Sequence, residues 1–526
     1  MDETFNDEQK KKGISKGVIA FIVAILVIGG SVAAYFMLNI SEKDKYFLSE
    51  KKSFEFMTDK FEERYQPELD WYEKSEENPT ETKFTLSGEY NDPAGSELGM
   101  GPEQFINNST IDITTATDMK EQKVSTKLSA DIGGIKIDDI DFYLTSKEIT
   151  LGLPFINELV QVKDDDLGKL LHEVDPLTFE KDGKIDLGTL FNGSNGTLSD
   201  EDIEYLEKEY LDMIYNELPD EAFDSSDDKI KVNDESMKTE KITMHLTEKQ
   251  LKEIITKVLD KMENDKRLKD LIKEQIELQP QFGLISMDDE IDEFMSDFES
   301  RIADSKDAVK DFQIPDGLTS VIWIKDDLIV QRDFNIEMGP SEDELVAFTV
   351  KGTQLLENDN QFFNYDLGFS DDYEDGTMNI SGDLSWKDGK AKDSINLTAA
   401  DTVLSYESTE TLKDDKRDFE RVFSFEDPSG AGGNLIWDGN ASYDKDQMKS
   451  EHNFSIEVPE VGQDMFALHI AVDGKTIKEV EMPDDGNVKD LGSMSADEIM
   501  QYFNEEVAPS FQQWMMKMIG AGGLGF

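Results

Sequence analysis

The chain has no cysteine and few basic residues for its length. The absence of cysteine from its 526 residues excludes disulfides, thiolate metal sites and lipid attachment through an N-terminal cysteine. Lysine and arginine number 53 against 116 aspartates and glutamates, so the net charge is −63. Because nucleic acids bind through basic surfaces, this imbalance predicts no nucleic-acid partner.

Residues that could support catalysis or bind a metal are also scarce. The four histidines show no metal-ligand spacing: His172, His245, His452 and His469. The acidic run 371–376 does not fit a calcium loop, because Tyr373 stands at the third ligand position. Neither a phosphate-binding loop nor a nucleophile elbow is present. We therefore predict a protein that is not an enzyme, with no catalytic, cofactor-binding or metal-binding residues and no cofactor.

Two short motif matches lack the context that gives these motifs their function. Residues 520–525 fit GxGxxG, but they follow a helical pattern, whereas a dinucleotide site follows a strand. Ser49 and Lys52 fit SxxK without its companion motifs. A pair of carboxylates acting in acid–base catalysis stays open as an alternative, since acids are abundant throughout the chain.

Residues 17–40 form a long apolar run without a charged residue. A helix of this length reaches about 30 Å or more, enough to cross the hydrocarbon core of a bilayer. A cleavable signal peptide is the alternative, but its apolar core is only about 7–15 residues long. We predict a transmembrane helix that is an uncleaved signal anchor. Residues 1–16 would be a cytoplasmic tail, and the C-terminal bulk would lie outside the cell membrane.

The remaining patterns predict an α+β fold in which the transmembrane helix precedes two antiparallel β-meander blocks, each packed with amphipathic helices. Residues 41–79 carry an apolar stripe at helical spacing as far as Pro67 and are predicted to be a helical stalk. Alternating strands and capped helices follow in residues 80–312, the first block. Residues 313–526 form the second block, which closes with a helix predicted to pack on that block's sheet.

Short sequence motifs predict several local features of these blocks. A change of phase near Asp138 and Asp139 predicts a β-bulge. Capping boxes at 247–250 and 495–498 predict helix starts. The clearest strand is predicted at 328–338, with one face made of Leu328, Val330, Arg332, Phe334, Ile336 and Met338.

Four stretches carry a resemblance to known proteins: the lysine-flanked span, residues 45–50, residues 141–155 and residues 502–511. They resemble single-pass, membrane-anchored extracytoplasmic proteins of Gram-positive bacteria that contain a domain of unknown function, a family that implies no site residues. Residues 80–262, which end in the strand and capped helix at 241–251, are similar at the level of fold to lipoprotein carriers. That resemblance implies a curved sheet around an apolar cavity.

These observations lead to three hypotheses. The first is a membrane-tethered, extracytoplasmic, non-enzymatic binding module for an apolar or lipid ligand. The second is a structural or interaction protein of the cell envelope, with solid-cored sheets and an envelope protein as partner. The third is a hydrolase that uses a carboxylate pair. A cavity inside the β-blocks favours the first hypothesis, and a filled core favours the second.

Overall fold

The computed structural model describes residues 41–91, 102–174, 185–191, 198–277, 288–371, 375–459, 462 and 465–521. Helices α1 to α10 are Glu42–Glu77, Pro102–Asn107, Asp164–Val174, Asp200–Leu206, Asp212–Glu217, Glu248–Asn264, Lys266–Glu277, Asp288–Asp311, Ala496–Tyr502 and Ala508–Ala521. The π-helical turns Glu207–Leu211 and Phe503–Val507 join α4 to α5 and α9 to α10. Single 3-10 turns lie at Leu187–Phe191, Asp220–Ala222 and Asp485–Asn487.

Twenty strands form one sheet. Strands β1 to β10 are Thr80–Tyr90, Thr110–Asp118, Lys123–Ile132, Ile135–Thr145, Glu148–Gly152, Leu159–Lys163, Phe223–Val232, Glu235–Leu246, Leu318–Lys325 and Leu328–Met338. Strands β11 to β20 are Val346–Leu356, Asn360–Ser370, Asp375–Lys387, Lys390–Ala399, Thr402–Lys413, Lys416–Glu426, Gly432–Asp444, Gln447–Glu457, Phe466–Thr476 and Val488–Asp490.

The strand order follows from the pairings. Strands β7 to β19 pair in succession, β19 then pairs with β1, and β1 to β6 continue to β20. Every pair is antiparallel except β6 with β20. The connections between successive strands therefore alternate between two ends of the sheet. We call the end with the β9–β10, β13–β14, β15–β16 and β17–β18 turns the lower end, and the opposite end the upper end.

The prediction of two separate β-meander blocks is wrong. Strand β1, from the start of the described chain, pairs along its whole length with β19, from near its end. Strand β8 of the predicted first block pairs with β9 of the predicted second block. The physical reason is that an unpaired edge strand exposes a row of peptide groups, and these two pairings join both blocks edge to edge.

Helix α1, the segment predicted as a stalk, packs along this sheet. The Lys45 ammonium lies 2.6 Å from Glu240 on β8, and Lys74 lies 2.6 Å from Asp446 in the β17–β18 turn. The helix is about 54 Å long, and the strands from β8 to β19 span about 53 Å. Helix α1 therefore runs obliquely across one face of the sheet, from near the upper end of β9, where Tyr46 contacts Ser320, to the lower-end turn that holds Asp446.

Pro67 does not end helix α1 as predicted. The helix continues to Glu77, and the proline is accommodated by a kink at Tyr65, where φ is −107° and ψ is 19°. Proline lacks the amide hydrogen that an unbroken helix needs at that position, so a local departure from helical geometry is the expected outcome.

The main hydrophobic core lies where the start of α1 meets β7 to β11. Tyr46 and Phe47 of α1 pack with Ile322 of β9 and Phe334 of β10, and all four are at least nine-tenths buried. Tyr46 also hydrogen-bonds through its hydroxyl to Ser320 at 2.7 Å. At a typical 1.5–3 kcal/mol for each fully buried large apolar side chain, about that much stabilisation comes from each of these residues. This part of the sheet is solid.

Membrane anchoring by a single helix, and the localisation derived from it, are corrected here. Among the described residues, no helix combines the length and hydrophobicity that a bilayer crossing requires. The predicted span, residues 17–40, lies outside the described residues. We therefore withdraw the signal anchor, the single-pass topology and the extracytoplasmic placement.

Most local signals correspond to observed features. The predicted bulge is present, as a register shift between β3 and β4 with Asp139 at φ 63°. Both capping boxes are present, at the starts of α6 and α9. Strand β10 has the predicted bounds, but a register shift after Ile329 places Ile329 in the main core and Val330 in a smaller cluster with Trp323. The predicted face is therefore wrong at its first two members.

Candidate binding surface

Six ionised side chains lie between α1 and the lower half of the sheet, and we call them the buried ion-pair cluster: Arg64, Glu68, Asp393, Glu410, Arg417 and Arg421. Arg64 of α1 lies 2.7 Å from Asp393 on β14 and 3.1 Å from Glu410 on β15. The Glu410 side chain is fully buried. One guanidinium group thus bridges two carboxylates that lie on neighbouring strands.

Two arginines of β16 complete the cluster. Arg417, which is 2% exposed, donates to Glu410 at 2.8 Å and to Glu68 of α1 at 2.6 Å. Arg421 donates to the other Glu410 oxygen at 2.8 Å. Three positive charges therefore meet three negative charges, as burial of ionised groups requires.

The cluster does not have the electrostatics of a catalytic carboxylate pair. Burial alone would raise the pKa of Glu410, but the charges of Arg64 and Arg421 outweigh burial, so its pKa is lowered. An acid catalyst needs a carboxyl group whose pKa is raised toward neutrality. Among the described carboxylates, every resolved pKa shift is downward. The cluster fastens α1 to the sheet.

The lowered pKa of Glu410 makes its contribution to stability depend on pH. A carboxylate whose pKa is lower in the folded state stabilises the fold above its unfolded pKa, and that contribution disappears as the pH falls through the folded pKa. We expect the difference in free energy of unfolding between the wild type and Glu410→Gln to be full at pH 7 and to shrink below about pH 4.5, the ordinary value for glutamate. Urea unfolding of both proteins between pH 7 and pH ~3 measures it. A difference that grows on acidification would contradict this assignment.

The upper half of the same sheet face is largely apolar. Among the described residues, α2 packs over it at β1, where Ile106 adjoins Gly88, and large apolar side chains stay exposed on the neighbouring strands. The nine large side chains of this half, which we call the open apolar face, are Phe84, Ile111, Leu404, Phe423, Phe425, Leu435, Ile456, Phe466 and Leu468. Each is 36–50% exposed. Strand parity puts them on the α1 side, because Leu404 and Glu410 lie an even number of residues apart on β15.

The register shows that the open apolar face is continuous. Leu404 lies opposite Phe425, Phe423 lies opposite Leu435, and Leu435 in turn lies opposite Ile456. The nine residues occupy seven neighbouring strands, β15 to β19 with β1 and β2, a distance of about 29 Å. Phe423 and Phe425 are two residues apart on β16, so the strip is about 7 Å wide there. It is wider only at β1, because Phe84 lies opposite Val472, four residues or about 13 Å along β19 from Leu468. It is long and narrow.

The opposite face of these strands is polar. Cross-strand pairs cover it, among them Lys449 with Asp473 at 2.6 Å and Lys475 with Glu81 at 2.7 Å. Asn453 donates to Asp438 at 2.9 Å. On these strands, large exposed apolar side chains therefore lie on one face only. Apolar residues scattered singly over a surface would occur on both faces.

The border between the open apolar face and the buried ion-pair cluster is aromatic. The Arg421 guanidinium lies 4.5 Å from the Trp437 ring, which stacks on Phe454 at 5.5 Å. Trp437 also donates to His452 at 3.2 Å. Burial and the charge of Arg421 lower the pKa of His452, so this histidine is neutral at pH 7.

His245, His469 and the two SxxK residues make contacts that hold the fold together. His245 bonds to Thr319 at 3.0 Å, and His469 bonds to Asn453 at 2.7 Å. No group of metal-binding side chains occurs among the described residues. Ser49 is buried in α1, and Lys52 pairs with Asp327 at 2.6 Å. Residues 372–374 of the acidic run and 522–526 of the glycine-rich run lie outside the described residues.

The C-terminal helices lie elsewhere than predicted. Phe511 and Trp514 of α10 pack on Phe155, between β5 and β6, with ring centroids 5.2 and 5.7 Å apart. Helix α10 therefore packs near β4 to β6, and its described residues do not cover the open apolar face. Sequence analysis missed that face because its residues read as ordinary inward-facing strand positions.

No protein-family model and no curated protein matches the chain. Several solved structures do. OccK11 of Pseudomonas aeruginosa matches with a TM-score of 0.23 and 7% identity, over 76% of this chain and 94% of that one. A BenF-like porin from Pseudomonas fluorescens gives 0.23 and 7%, over 76% and 98%. Wzi of Escherichia coli, an outer membrane protein involved in group 1 capsule assembly, gives 0.22 and 8%, over 89% and 99%. At these TM-scores, the likenesses indicate neither a shared fold nor a shared function.

Proposed function

We propose that the chain is a non-enzymatic binding module whose ligand is an amphiphile with a long apolar chain, held on the open apolar face. The observation that supports this most strongly is the confinement of nine exposed apolar side chains to one strip of one sheet face. Monomeric soluble proteins rarely leave such patches uncovered unless they bind something.

The dimensions of the strip favour an extended chain over a globular partner. A stable protein interface needs about 800 Å² on each partner, on a surface of comparable length and breadth. A strip about 29 Å long and 7 Å wide between side-chain rows is far narrower than that. An extended hydrocarbon chain is itself long and narrow.

The available free energy is sufficient for binding. Fully burying a large apolar side chain contributes about 1.5–3 kcal/mol, and these side chains are already more than half buried, so about 1 kcal/mol remains for each. Each methylene of the ligand adds about 0.8 kcal/mol. A ligand that covers only part of the strip therefore reaches micromolar affinity, about −8 kcal/mol, after the cost of association is subtracted.

The proposal is tested by mass spectrometry of organic extracts of the purified chain and by titration with Nile red, an uncharged dye that fluoresces in apolar surroundings. We expect a co-purifying amphiphile, and a dye signal that this amphiphile displaces. Extracts without any amphiphile, together with no dye signal, would overturn the proposal. The chain would then be a structural or interaction protein, a role that the solid core beneath α1 fits.

A further inference from the structure

We infer that the amphiphile carries a cationic head group, which the acidic upper end of the sheet selects. This inference rests on the proposed function and adds the charge of the ligand to it. It comes from the placement of charged residues around the open apolar face.

The upper-end connections of the strands that carry the open apolar face are those of β14–β15, β16–β17, β18–β19 and β1–β2, and their described residues include no lysine or arginine. Two of them, 400–401 and 427–431, are fully described. Acids lie in these segments or directly beside them: Glu103, Asp401, Glu426, Asp427 and Glu457. The rim next to the open apolar face is therefore negative without local compensation.

The lower end differs, so the acidic rim is not only a result of overall composition. The turns there include Lys120, Lys147 and Lys445. The lower half of the sheet face is also closed by α1, and the buried ion-pair cluster beneath it is neutral. On this sheet face, the upper half is therefore the part that an amphiphile can reach.

Two acids adjoin the strip itself. Glu426 follows Phe425 at the end of β16, and Glu457 follows Ile456 at the end of β18, and both acids are exposed. A ligand whose chain lies on Phe425 and Ile456 must leave its head group in water near these carboxylates. They lie within a Debye length of about 8–10 Å at ordinary salt, so a cation is attracted and an anion is repelled.

Among the residues that the structure describes, no free basic side chain borders the strip to pair with an anionic head group. Arg421 is the nearest guanidinium along β16, but it donates to Glu410 through both Nε and Nη2. Its side chain is only 14% exposed. Binding an anion there would require breaking a buried ion pair, which costs about 3–5 kcal/mol.

The test is equilibrium dialysis of the full chain with three dodecyl amphiphiles below their micelle concentrations. The three probes are dodecyltrimethylammonium, dodecyl maltoside and dodecanoate, which share the chain and differ in head-group charge. At low salt we expect affinity to fall from the cationic to the neutral to the anionic probe, with about a tenfold difference between the extremes. At ~0.5 M salt, where the Debye length is about 4 Å, the difference should largely vanish.

Two matched variants locate the effect. The upper-end variant carries Asp401→Asn, Glu426→Gln and Glu457→Gln. The lower-end control carries Asp388→Asn, Asp414→Asn and Asp415→Asn. All six acids are exposed, and the four with positive φ tolerate asparagine. We expect the upper-end variant to lose most of the preference for the cation and the control to keep it.

The outcomes separate the inference from the proposed function. Equal affinities of the wild type for the three probes, or an unchanged preference in the upper-end variant, would overturn the cationic head group and leave the binding module standing. Failure of the wild type to bind any of the three would overturn the proposed function itself.

Discussion

Replacing Glu410 by alanine is expected to reduce the free energy of unfolding by about 3–5 kcal/mol. The side chain is fully buried and accepts from Arg417 and Arg421 while pairing with Arg64. Its removal leaves three arginines against two carboxylates in a space closed to water. Uncompensated charge, rather than the lost contacts, produces the expected effect.

Glu407→Ala is the matched control for this change. Glu407 lies three residues earlier on β15, on the opposite face, and is exposed. Surface substitutions of this kind usually change stability by no more than about 0.5 kcal/mol. Urea unfolding followed by circular dichroism compares the two variants. Equal stabilities would show that the cluster does not hold α1 on the sheet.

The second large effect is expected at the open apolar face. Phe423→Asp with Ile456→Asp places two charges in the middle of the strip, where both side chains are 40–50% exposed. A carboxylate under a hydrocarbon chain must lose its hydration, so binding of the dye and of the natural amphiphile should weaken at least about tenfold. Each substitution also removes the buried half of an apolar side chain, about 1–1.5 kcal/mol, so circular dichroism must show that the variant is folded.

Ser424→Asp with Ser455→Asp serves as the control for charge alone. These serines are the immediate neighbours of Phe423 and Ile456 and lie on the polar face of the same strands. The control protein should bind the dye as the wild type does. If both double variants lose binding alike, the dye recognises overall charge or a different surface.

The sequence patterns predict short-range structure well. Capping boxes and the bulge depend on residues within a few positions of one another, and they appear where expected. The pairing of β1 with β19 depends on residues almost 400 positions apart, between edges that no turn links. Alternation identifies a strand and its two faces, but it carries no information about which strand lies beside it.

Helix α1 shows a second reason why sequence reasoning fails. Phe54 and Phe61 belong to its apolar stripe, and their side chains are 65% and 56% exposed. The buried face instead carries Tyr46 and Phe47 near the start and Arg64 beside the cluster. Ion pairs of Arg64 and Glu68 make the contact in the second half of the helix, and hydrophobic periodicity carries no signal for such pairs.

The most direct measurement of the central claim is photo-cross-linking with a diazirine-bearing alkyl amphiphile, followed by residue-level mass spectrometry. Binding on the open apolar face predicts labels at alternate residues: at Phe423 and Phe425 of β16 but not at Ser424 between them, and at Ile456 of β18 but not at Ser455. Labels spread evenly along β16 and β18, or concentrated on the polar face, would contradict the account.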